Sequence, residues 1–82
     1  MSEQLTVTIA SVPHRERPVA ELWCGDYMWA EVHEDRGELG LDLYPNPAGG
    51  PWRFDHAQVE AILAEAKERL TRGGIRAAVA NS

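Results

Sequence analysis

Apolar and polar residues alternate along three runs between Val19 and Tyr44, and Gly25-Asp26 and Asp35-Arg36-Gly37 separate the runs. Alternation with period two, broken by turn residues, predicts a three-strand antiparallel meander. An earlier run, 5–12, alternates Leu5, Val7 and Ile9 against Thr6, Thr8 and Ala10. Its threonine and β-branched content predicts a first strand. Val12 breaks the parity and Pro13 ends the ladder. Strands are therefore expected near 5–12, 19–24, 28–34 and 38–44. The period changes to that of a helix after Asp55: Val59, Ile62, Leu63, Ala66 and Leu70 form one apolar stripe. Asp55 is a suitable N-cap, Gln58 stands at capping-box spacing, and Phe54 with Val59 matches a hydrophobic staple. Glu65/Arg69 and Glu68/Arg72 are i,i+4 pairs. Gly73-Gly74 predicts the end of a helix over 56–72. The tail 75–82 has Ile75 and Val79 as its large apolar groups and could add a strand, form a short helix or stay disordered.

Splitting each strand by parity gives two faces. One collects Ala20, Leu22, Cys24, Met28, Ala30, Val32, Leu39, Leu41 and Leu43 without a charge, and is expected to be the core. Placing Leu22 and Ala30 together requires a bulge or an odd loop near Gly25-Asp26, because a plain two-residue turn would pair Leu22 with Trp29. The opposite face carries Trp23, Trp29 and Tyr44 among Glu21, Glu31, His33 and Asp42. The expected fold class is α+β: one antiparallel sheet of about four strands, β-β-β-β-α, with the helix stripe on the Leu/Val/Ala face. One helix covers one face, so solvent, the tail or another molecule meets the aromatics on the other. Those aromatics have two readings, as cross-strand packing under a loop or tail, or as anchors for a partner.

Two segments interrupt the pattern. Residues 13–18, Pro-His-Arg-Glu-Arg-Pro, form a charged connection in which His14, Arg15 and Arg17 could make a small cationic point. Residues 45–51 hold three prolines and two glycines and cannot be a central strand. Gly49-Gly50 lacks the Lys and Ser/Thr of a phosphate loop. Trp52 and Phe54 then fall on one side of an extended segment and are expected to cap one end of the core.

Eighty-two residues make a single domain with one core. A net charge of -5 argues against a general nucleic-acid binder and suits a basic partner. The lone cysteine, Cys24, allows no internal disulfide and reads as a buried, inert thiol. No signal peptide or membrane span is expected at the N-terminus, and the cytoplasm is the default compartment. A Cys24–His nucleophile pair is not expected, since His14, His33 and His56 fall on a loop, the other face and the helix start. Glu21, Glu31, His33 and Asp42 have the chemistry for a metal or for acid–base work, but no spacing motif supports either. No catalytic, cofactor-binding or metal residues are therefore assigned.

The series Val12-Pro13-x-Arg15-Glu16, 19–23 (Val-Ala-Glu-Leu-Trp), 29–32 (Trp-Ala-Glu-Val), 41–45 (Leu-Asp-Leu-Tyr-Pro) and 50–54 (Gly-Pro-Trp-x-Phe), followed by an Ala/Glu-rich helix, resembles small, largely uncharacterised bacterial proteins. Some proteins of this size and build serve as immunity proteins in toxin–immunity systems. The likeness covers roughly residues 12–70 and brings no functional residues with it. The expected function is a non-catalytic acidic binding module of the immunity or inhibitor type, with a basic toxin among its expected partners. Glu21, Trp23, Trp29, Glu31, Asp42 and Tyr44 are its candidate contacts. A small enzyme or accessory subunit using the outer carboxylates, and a homodimer whose open faces cover each other, are the alternatives.

Overall fold

The structure is a computed structural model that describes residues 4–13 and 16–80, with side chains as far as residue 71. Strands β1 (Leu5–Ala10), β2 (Val19–Cys24), β3 (Tyr27–Asp35) and β4 (Glu38–Leu43) form one antiparallel sheet in chain order. Helix α1 (His56–Ala80) follows and packs on one face. The α+β architecture expected from the alternation is the one observed.

The turns follow from residue chemistry. Cys24 pairs with Tyr27 across a two-residue loop, with Gly25 at φ 62°. Asp35 pairs with Glu38 across Arg36-Gly37, whose φ angles are 56° and 83°. Two left-handed residues in a row match the right-handed twist of the flanking strands, and glycine supplies one without strain.

The helix starts as its caps require. The Gln58 N–H reaches Asp55 Oδ2 at 3.4 Å, and the Val59 N–H donates to the Asp55 carbonyl at 3.1 Å. Only half of the capping box forms, because Gln58 Oε1 is buried without a hydrogen-bond partner. Arg69 pairs with Glu65 at 3.4 Å as the i,i+4 spacing predicts; the Arg72 side chain lies outside the described residues. Gly73-Gly74 does not end α1, which continues to Ala80. Two glycines cost about 1 kcal/mol each against alanine but impose no stop, and the Ala-rich segment after them favours helix. Residues 81 and 82 of the tail lie outside the described residues.

The core cluster holds Leu5, Ala20, Leu22, Trp29, Ala30 and Val32 of the sheet with Ile62 and Ala66 of the helix. Val7, Cys24, Trp52, Phe54, Val59, Leu63 and Leu70 pack around it, so the helix stripe is the one the periodicity predicts and Cys24 is half-buried at its edge. Trp52 and Phe54 close one end: their rings stack at 5.5 Å, Phe54 lies 4.8 Å from Trp29, and Trp52 Nε1 donates to the Tyr44 carbonyl at 2.9 Å.

Two placements on the core face need correction. Leu22 does pair with Ala30, but Trp23 pairs with Met28, so β3 bulges at Trp29. The extra residue puts Met28 on the face of Trp23 and turns Trp29 into the core, where it is 5% exposed. Leu39, Leu41 and Leu43 do share the core side, opposite Glu34, Val32 and Ala30, yet they are 42%, 46% and 69% exposed. Helix α1 packs on β1, β2 and β3. A helix is about 10 Å wide, whereas the outer strands of a four-strand sheet lie about 14 Å apart. One helix therefore leaves the last strand uncovered.

Candidate functional site

The face away from α1 is built from alternate residues of each strand. Cross-strand pairing sets Thr8, Glu21, Glu31 and Asp42 in one row across all four strands. Thr6, Trp23 and Met28 form the next row towards the β2–β3 turn. His33 and Gly40 pair on the other side of the carboxylates. Asp35 and Glu38 extend the acidic character to the β3–β4 turn. Among the described residues at outward strand positions, His33 is the one basic side chain.

Burial is uneven across this face. Glu31 is 6% exposed, whereas Glu21, Trp23, Asp42 and Tyr44 are half-buried. Val19 shares the parity of Glu21, has no exposed surface and stands apart from the core cluster. The face is thus closed over Val19 and open towards Trp23.

His33 is fixed by a glycine. Its Nε2 lies 3.5 Å from Asp42 Oδ1, and its ring lies against Gly40. A β-carbon on Gly40 would collide with His33 Cε1 and come within 2.8 Å of Nε2. Glycine in a strand interior is unfavourable, and close approach of a neighbour explains it here. Gly40→Ala is expected to cost about 1–3 kcal/mol by displacing the ring. The double variant with His33→Ala should cost less than the sum of the two single changes. Thermal unfolding of the four members of that cycle checks this, and strict additivity would contradict the contact.

At the end of the sheet, Arg17 bridges to Glu34 at 2.9 Å, beside a polar cleft of about 520 Å³ that His33 also lines. His14 and Arg15, expected partners of Arg17 in a cationic point, lie outside the described residues. Among the described residues, no cluster of His, Cys, Asp or Glu is placed to hold a metal ion. No described helix is long and apolar enough to cross a membrane.

Of the candidate contacts, Glu21, Trp23, Glu31 and Asp42 come together on the outer face, with Glu31 buried among them, and Tyr44 follows β4, its N–H bonded to the Trp29 carbonyl. Trp29 does not: it lies in the core against Phe54. The exposed leucines of β4 were not expected as surface, because alternation assigns a face without saying how far the helix extends. No protein-family model, curated protein or solved structure matches the chain.

Proposed function

We propose that this chain is a non-catalytic, acidic protein-binding module that occludes a basic partner, in the manner of an immunity or inhibitor protein. The observation that supports this most directly is the row of Glu21, Glu31 and Asp42 across adjacent strands of the face away from α1, in which Glu21 and Asp42 are half-buried and reach the surface while Glu31 is buried between them. Carboxylates aligned on a rigid sheet create a local negative potential, which speeds encounter with a basic surface and selects its register. Trp23, half-buried beside Met28 at the open end of that face, supplies an aromatic anchor of the kind that dominates interface energies.

The reading is tested by affinity capture from native cells with wild type beside Glu21→Lys and Trp23→Ala. A basic protein retained by wild type, released as ionic strength rises and lost at least tenfold by Glu21→Lys is the expected result. Capture that ignores both substitutions and salt would overturn the assignment of this face.

A further inference from the structure

Strand β4 is an edge of the sheet, and its open side has a definite chemistry. The Tyr44 N–H donates to the Trp29 carbonyl on β3 at 3.0 Å. In an antiparallel ladder, residues two apart direct their backbone groups to the same side. Asp42 and Gly40 therefore face β3, and the N–H and C=O groups of Leu39, Leu41 and Leu43 face the free edge. The same leucines carry the exposed apolar side chains on the helix side of the sheet. An apolar cleft of about 310 Å³, lined by Leu39, Leu41, Val32, Leu63 and Ala64 with Lys67 at its rim, continues the row onto α1.

Edges of this kind are normally blunted by lysine, proline, bulges or a covering element. Among the described residues, β4 has no lysine, proline or bulge within Glu38–Leu43, and its two charged side chains, Glu38 and Asp42, stand at outer-face positions; prolines begin at Pro45. The other edge strand is treated differently, since Arg69 of α1 donates to the Val7 carbonyl at 3.2 Å.

We infer that β4 is the contact surface for a second copy of this chain, which adds its own β4 antiparallel about a two-fold axis at Leu41 and makes one continuous sheet. The sequence of the strand is self-complementary in that register. Leu41 meets Leu41 of the second copy, and Leu39 meets Leu43. Gly40 meets Asp42, so no two like charges stand directly opposite, and the Asp42 carboxylates are set diagonally. Each of the leucine pairs is a hydrogen-bonded pair, so the edge groups and the apolar side chains are satisfied together. A register shifted by two residues would leave a leucine without a partner at each end. The contact uses the edge of β4 and the helix side of the sheet and leaves the Trp23 end of the outer face untouched, which makes this association independent of the function proposed above.

Sedimentation of the full chain at sub-millimolar concentration is the test. Wild type is expected to be a dimer, and Leu41→Lys a monomer with unchanged circular dichroism and an association at least tenfold weaker. Register is read separately by disulfide trapping in a Cys24→Ala background. Leu41→Cys alone should cross-link, because a hydrogen-bonded pair sets the two Cα atoms about 5.5 Å apart, within disulfide range. Leu39→Cys alone should not cross-link, but should do so when mixed with Leu43→Cys. A monomeric wild type, or a dimer that survives Leu41→Lys, overturns the inference. Cross-linking of Leu39→Cys with itself overturns the register.

Discussion

Trp29→Ala is expected to destabilise the domain by about 3–5 kcal/mol, the range for removing a buried aromatic side chain. A chain of 82 residues has a total stability on the order of 4–12 kcal/mol, so much of the population should unfold in mild denaturant. The reason is local. The bulge at Trp29 turns its ring into the core against Phe54, which in turn stacks on Trp52. Truncation therefore leaves a cavity where strand, loop and helix start meet. Trp29→Phe separates the ring from its polar atom. Trp29 Nε1 is buried without a hydrogen-bond partner, so phenylalanine removes an unsatisfied donor along with some volume. Its cost should be smaller by at least half. Trp23→Ala, on the half-buried outer face, should cost about 1 kcal/mol or less. Urea unfolding followed by far-ultraviolet circular dichroism ranks the three. If Trp23→Ala proves the more damaging of the two alanine variants, the faces have been assigned the wrong way round.

Leu22→Ala should be about as severe, at roughly 2.7–5 kcal/mol. Leu22 has no exposed surface and is one of the two largest fully buried side chains. It sits on an interior strand between Val7 and Ala30, on the side that α1 covers. Leu41→Ala removes the same atoms from the same side of the sheet, yet Leu41 is 46% exposed. Its effect should stay within about 0.5 kcal/mol when measured at concentrations low enough to keep the chain monomeric. The pair tests whether α1 stops short of β4. Equal costs would mean that β4 is covered in solution.

Much of this was legible in the residues. Alternation placed every strand within about two residues, because a strand with one buried face must repeat with period two. The Asp55 cap and the stripe from Val59 to Leu70 located the helix start and its buried side, because backbone donors at a helix start need an acceptor and apolar side chains need a common side. The carboxylates Glu21, Glu31 and Asp42 could be grouped on one face for the same reason. A bulge or an odd-length loop could also be anticipated near the first turn, since Leu22 and Ala30 could not otherwise face each other, and the structure has the bulge.

What parity alone could not supply was which residue would be extra. That choice depends on whether an indole fits beside Phe54 and the helix start, and these are distant in sequence. It moved Trp29 from the surface to the core. The extent of α1 past Gly73-Gly74 was likewise beyond the local pattern, because glycine weakens a helix without forbidding it. The fate of Leu39, Leu41 and Leu43 rested on geometry of another kind. Alternation gives the side of the sheet on which a residue lies, but burial depends on the width and position of whatever packs there. One helix spans fewer than four strands, and the three leucines are left at an open edge.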